Sequence, residues 1–383
     1  MPSEAGRGVG VNEENVDGHA DRKPVHGPID RRGWLILGAA GVVAAFRLYQ
    51  CGMLPYETGD IVRHVLYGVA VDQQGIAAAG VPLKTLSAGW SHVAWARFPY
   101  SYPPVALAFF ALIASISPSV FAAKLALTLI EAGNACLISK LTRSRILGLL
   151  YWASPLSIWW VSREGQFEPL QSFFMLLAIA AAFERQFVSG VALALATSAK
   201  GTAGALVPWL AGVIWPRGWR ARGLALLGLA AGLVPVIAAE AMYGGISNVM
   251  RYSSLLIYNP YYWNPWADMF VGNTPLQIAA NEIASYGLLV TLIALAFRSR
   301  NWLPFVAPLA FVVFCKAHTN VQFWYWLLLP AFLVPLPNPR WRFALIALCP
   351  LLDIHSLLEL VFGPMGPVRF HGLPSVFDTY TLP

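Results

Sequence analysis

The chain has 383 residues, of which 57% are hydrophobic and only 12% charged, with a mean hydropathy of +0.57 and a pI near 9.3. A soluble domain carries about 25% charged residues, so this balance points to a membrane protein. The net charge of +7 does not argue for a nucleic-acid partner, because Lys and Arg fall in pairs and triples between apolar runs, as the cytoplasmic loops of membrane proteins do.

In chain order, residues 1–33 are polar and end in "DRRGW". They read as a disordered cytoplasmic tail rather than a signal peptide, because the apolar run starts only at Trp34. A retained first transmembrane helix follows at about 34–54. Residues 55–102 form a long first extracytoplasmic loop whose Trp90, Trp95, Phe98, Tyr100 and Tyr102 suit a membrane–water interface. Apolar segments then lie at about 103–117, 120–139, 146–162, 169–183, 188–199, 203–215, 223–243, 276–297, 302–315, 321–336 and 343–362. Basic connections separate them, at Lys140/Arg143/Arg145, Arg185, Arg217/Arg220/Arg222, Arg298/Arg300 and Arg340/Arg342. With these on the cytoplasmic side, "SREGQFEP" (162–169), the surroundings of Lys200, an aromatic cap loop (244–275) and "KAHTN" (316–320) face outward.

The alternation fails once: two apolar segments precede Lys140 where an odd number of crossings is required, so one of them lies on the surface or dips back. The segments on either side of Lys200 are short for a bilayer that takes roughly 20 residues to cross. Broken helices at that depth line a cavity or are buried in protein. The expected fold is all-α and polytopic, with about 10–12 transmembrane helices over residues 34–363 and a C-terminal tail at 364–383. The four cysteines (Cys51, Cys136, Cys315 and Cys349) are far apart and form no metal or disulfide pattern.

The ionisable residues gather in "YETGDIVRHVLYG" (56–68). Asp60, Arg63, His64 and Tyr67 are spaced i, i+3, i+4, i+7 and share one helical face. Ile61, Val62, Val65, Leu66 and Val69 occupy the other, which suggests an amphipathic helix on the outer surface. Such a helix with a structural ion pair is the plainer alternative to a site, since exposed pairs are common and weak.

"GDIVRHVLYGVAVDQQGIAAAGVPL" resembles the first outer loop of the GT-C glycosyltransferases, and is closest to their bacterial mannosyltransferase-type branch. The shared elements are Asp60, Arg63-His64, Tyr67-Gly68 and "AGVPL"; then "YPP" at 102–104, "SPLSIWWVSREGQFEPL" and "GVALALATSAKGTAGALVPWL". The resemblance covers about residues 34–216. Val81-Pro82-Leu83 departs from the Asn-Pro-Tyr common in that family.

The resemblance implies a GT-C-like bundle that moves a hexose, mannose by default, from a polyprenyl-phosphate donor to a glycolipid, polysaccharide or protein acceptor on the extracytoplasmic face of the plasma membrane. A good leaving group lets one carboxylate act as base, so Asp60 is the candidate, backed by Glu57, and a single displacement inverts the sugar carbon. Cations that suit the lipid phosphate are Arg63, Lys200, Arg251, Lys316 and His318. His64, Tyr67, Gln166, Glu168, Gln322, Tyr258 and Trp263 are candidates for sugar or acceptor contact. A divalent cation, Mg or Mn, stays open.

Glu131, Glu240, Glu282 and Asp353 sit in or beside apolar runs, with Lys124 a partner for the first of them, and they keep a secondary transporter or lipid translocase as the alternative. A non-catalytic membrane subunit of envelope assembly is a third reading.

Overall fold

The computed structural model describes residues 31–55, 60–93, 95–245, 247–248, 275–298, 301–317 and 323–353. The expected tails and most of the aromatic cap loop lie outside these residues. Among them the chain is all-helical, with no strand. The principal helices are α1 (Arg31–Cys51), α2 (Asp60–Gln74), α3 (Pro104–Ile116), α4 (Val120–Thr142), α5 (Arg145–Trp152), α6 (Glu168–Ala181), α7 (Gln186–Ala199), α8 (Val207–Ile214), α9 (Trp219–Tyr243), α10 (Pro275–Arg298), α11 (Leu303–Ala317), α12 (Leu329–Leu333) and α13 (Pro339–Leu348).

Three of these, α1, α4 and α9, are long and apolar enough to cross a membrane among the described residues. Their 21, 23 and 25 residues rise about 1.5 Å each, against a hydrocarbon core of about 30 Å. Most of α1 and α9 turns apolar side chains outward, including Leu35, Val42 and Phe46 on α1 and Leu226, Val234 and Ile237 on α9. Of the two apolar segments before Lys140, α4 is long enough to span, whereas the 13 residues of α3 are not.

Several apolar runs are split into shorter pieces. The run at 146–162 becomes α5, one helical turn at Pro155–Ser157 and a π-helix at Ile158–Arg163. Pro155 lacks the N–H that a continuing helix needs. The run at 203–215 starts as a 3-10 helix, Gly201–Leu206, before α8, and the last run ends its helix at Leu348.

Helix α4 is closed at both ends. The Ser119 side chain accepts from the Ala122 amide, Arg143 takes a left-handed conformation (φ 56°), and Ser144 then caps α5. Helices α7 and α9 meet backbone to backbone. A Cβ on Gly190 would lie 2.1 Å from the Ala225 carbonyl oxygen, and one on Gly228 would lie 2.0 Å from that of Phe187. Gly228 and Gly232 form a G-x-x-x-G pair, the spacing that lets helices approach closely in lipid.

Buried apolar side chains fall into two clusters. One joins α4, α5, α6, α7, α8, α11 and α12. The other gathers α2, the 79–110 segment, Trp159–Phe167 and Tyr243, and it frames the site. The expected surface position of α2 is corrected here: every residue from Ile61 to Ala70 is buried, on both faces. α3 covers one side, where a Cβ on Gly68 would meet the Phe110 carbonyl at 2.4 Å, and the aromatic loop covers another.

Candidate functional site

Asp60 opens α2 and is the one residue from 60 to 70 that keeps partial contact with solvent. Its carboxyl lies among Arg63, Lys200, Glu168 and Gln166, with Gln166 in hydrogen-bonding contact. Burial pushes its pKa up from 3.8 to about 6, and the nearby Arg63 and Lys200 cations only partly offset that. A carboxylate tuned toward neutrality is suited to proton transfer.

Arg63, one turn into α2, donates from Nη2 to the Pro99 carbonyl (2.8 Å) and to Ser101 Oγ (3.3 Å). It thus straps the aromatic loop across the helix while remaining beside Asp60. Tyr67, a further turn along, donates to the Phe98 carbonyl (2.7 Å) and contacts that of Val81 at 3.1 Å. His64 stacks on Phe110 with ring centroids 4.8 Å apart, and meets Tyr100, Tyr102 and Phe167 edge-on. Burial in that aromatic box, then Arg63 and Lys200, holds its pKa well below the ordinary histidine value. The i, i+3, i+4, i+7 row is therefore real, but only Asp60 combines it with access to solvent.

Gln166 and Glu168 reach Asp60 through the π-helix. Its exit carries Gly165 at φ 78°, and the Gln166 amide bonds back to the Trp160 carbonyl at 2.8 Å. π-helical turns are frequent at functional sites. A Cβ on Gly165 would press on Ile61 of α2 at 2.7 Å, so this turn and α2 fit only with glycine there. Glu168 begins α6 and is fully buried, and its Oε1 meets Lys200 Nζ at 2.5 Å. Glu168 Oε2 has no hydrogen-bond partner.

The helix break expected at Lys200 is present: α7 ends at Ala199 and a 3-10 helix follows from Gly201. Gln171 fastens the break by donating to the Lys200 carbonyl, and accepts from Thr202 Oγ1 at 2.8 Å. Lys200 does not snorkel outward. It is buried and pairs with Glu168, with the Tyr325 ring 4.1 Å and the Phe167 ring 5.3 Å from Nζ. Asp60, Arg63, Glu168 and Lys200 together form a set of balanced charge.

Glu57, Arg251, Tyr258, Trp263, His318 and Gln322 lie outside the described residues, as does the Lys316 side chain at the end of α11. Among the described residues no group of three or more His, Cys, Asp or Glu is placed to hold a metal ion.

A second polar cluster lies deeper, and its centre was not singled out from the sequence. Arg47 of α1 is fully buried. Its guanidinium donates to the Trp152 carbonyl (2.7 and 3.0 Å), Ser157 Oγ (2.8 Å) and Ser162 Oγ (3.0 Å), and stacks on the Trp152 ring at 4.2 Å. Glu131 does not pair with Lys124. It accepts from the Tyr151 hydroxyl (2.7 Å), Asn134 (3.1 Å) and Ser157, while Lys124 donates to the Met53 carbonyl at 2.8 Å. Ser162 continues to Thr128 (3.1 Å), and Thr128 to Cys51 (3.4 Å). The available signal was a lone arginine inside an apolar helix, which is costly unless it is paired within the protein. The partners of Lys200 at Tyr325 and Gln171 carried no such signal, because they come from distant segments.

No family model, no curated protein and no solved structure matches this chain.

Proposed function

We propose that the chain is a membrane glycosyltransferase that moves a hexose from a polyprenyl-phosphate donor to an acceptor hydroxyl, with Asp60 as general base. The supporting observation is Asp60 itself, a carboxylate with a pKa of about 6 that keeps partial contact with solvent at the head of α2, where the ten residues after it are all buried. A base performs best when its pKa lies near the working pH. In this reading Asp60 takes the acceptor proton, the acceptor oxygen bonds to the sugar C1 from the face opposite the phosphate, and the C1–O bond to the lipid phosphate breaks. The leaving phosphate gathers negative charge beside Arg63 and Lys200. Glu168 holds Lys200 in place, and Gln166 orients the carboxylate. A GT-C-like bundle and an outward-facing site belong to the same proposal, as does mannose as the default sugar.

Reconstituted protein, supplied with a panel of polyprenyl-phosphate hexoses and short glycolipid acceptors, tests it. Transfer of one hexose, lost in Asp60→Asn with folding intact, is the expected result. Full turnover in that variant would remove Asp60 from the chemistry.

A second reading has one specific observation in its favour. The buried chain from Glu131 through Ser157, Arg47, Ser162 and Thr128 to Cys51 is the kind of polar array that proton or ion pathways use. A transporter would move its substrate or ions across proteoliposomes with no sugar donor present, and Glu131→Gln would stop it.

A further inference from the structure

The Asp60 site lies toward one end of the α1–α4 pair, where Gln50 meets Arg163 and Lys124 holds Met53. The opposite end carries a separate groove of about 680 Å³ between the start of α1, the end of α4 and α5. Ile36, Leu37 and Ala40 form one wall, and Cys136, Leu149 and Trp152 lie across from them. Lys140, Arg143 and Arg145 line the same groove at the α4–α5 turn and are exposed. Arg31 and Arg32 are exposed at the start of α1, next to the lining residue Gly33. No acidic side chain lines the groove.

Hydrocarbon walls closing on a ring of cations match one class of occupant. We propose that this groove binds a two-chain phospholipid with an anionic headgroup, its acyl chains along α1 and α5 and its phosphate at Lys140, Arg143 and Arg145. Three features make this more than an uncovered apolar face. The charge is confined to one end of the groove, where a headgroup would sit. α1 and α4 are both long enough to cross a membrane, so the groove opens where lipid is available. The left-handed turn at Arg143 and the Ser144 cap hold the basic residues at the groove mouth by backbone geometry. Clustered Lys and Arg at a helix end are a known basis for anionic-lipid recognition. The proposal rests on the chain lying in a bilayer and not on sugar transfer.

Cys136 gives a direct readout. It is exposed in the groove wall, whereas Cys51 and Cys349 are buried. The full chain is purified in a neutral detergent, given phosphatidylglycerol or phosphatidylcholine, and assayed for bound lipid by native mass spectrometry and for Cys136 alkylation by peptide mapping. Phosphatidylglycerol is expected to be retained over phosphatidylcholine by roughly tenfold and to slow Cys136 alkylation several-fold. The triple variant Lys140→Gln, Arg143→Gln, Arg145→Gln is expected to lose the preference and the protection together. Cys136→Trp, which fills the groove and leaves the charges, is expected to lower retention of both lipids, with a monodisperse elution profile showing that it is folded. Equal retention of the two lipids overturns the proposal. So does a preference that survives in the triple variant, or Cys136 shielded equally without lipid, as occupation by the chain's own residues 1–30 would give. Sedimentation of all variants with cell membranes keeps a failure here distinct from a failure of the membrane reading.

Discussion

Replacing Asp60 by asparagine separates the electrostatic cost of the site from its chemistry. The folded protein holds the Asp60 proton up to about pH 6, against 3.8 for the ordinary carboxyl. Between those values the native state binds a proton that the unfolded chain has released, so wild-type stability falls as pH rises through this window. Below pH 3.8 both states are protonated and the group costs nothing. Above pH 6 the full penalty applies, about 3 kcal/mol at 1.36 kcal/mol per pH unit of displacement. Asparagine has the same shape and never ionises. Asp60→Asn should therefore match wild type at pH 4 and exceed it at pH 7.5 by up to about 3 kcal/mol, a rise in Tm of roughly 4 °C for a chain of this size. The assay is thermal unfolding of the detergent-solubilised protein across pH 4 to 8, followed by tryptophan fluorescence. A gain of equal size at both pH values, or a loss at neutral pH, would refute the idea that burial of an ionised Asp60 is what raises its pKa.

The other predictions follow from contacts already described. Glu168→Gln strands the buried Lys200 ammonium and should cost about 3–5 kcal/mol; adding Lys200→Met should recover most of it in the same melting assay, which an unrelated packing defect would not allow. Arg47→Ala removes the guanidinium that serves the Trp152 carbonyl, Ser157 and Ser162 and the buried positive charge that offsets Glu131, so a loss of about 3–5 kcal/mol is expected, with Arg47→Lys intermediate. Gly228→Val places a side chain where the Phe187 carbonyl stands, and should cost at least about 1–3 kcal/mol. Gly38→Val meets nothing within 4 Å and serves as the control. Should Gly228→Val melt like Gly38→Val, the backbone contact of α7 with α9 is not what holds them together.

Much of the local organisation was legible in the chain because it depends on nearest neighbours. A long apolar run preceded by Arg31 and Arg32 became α1, and the helix break expected at Lys200 is where α7 ends. The row of Asp60, Arg63, His64 and Tyr67 was visible because helical spacing puts them on one face. What that face meets was not visible. The spacing suggested a surface helix, yet α3 and the 98–102 segment cover it, and both come from well downstream. Hydropathy likewise sees an apolar run at 146–162 but not that it folds as α5, a turn and a π-helix.

The sequence by itself determined that this is a helical chain with runs apolar enough for lipid, that its ionisable groups collect after the first of them, and that a lysine interrupts two short helices. Only the tertiary structure decided which charges face one another. Glu168 binds Lys200 across 32 positions, Arg47 reaches Ser162 across 115, and the pKa of Asp60 depends on both Lys200 and Glu168. Such pairings follow from how helices stack rather than from local spacing. In an interior that screens charge weakly, they set the protonation state of Asp60.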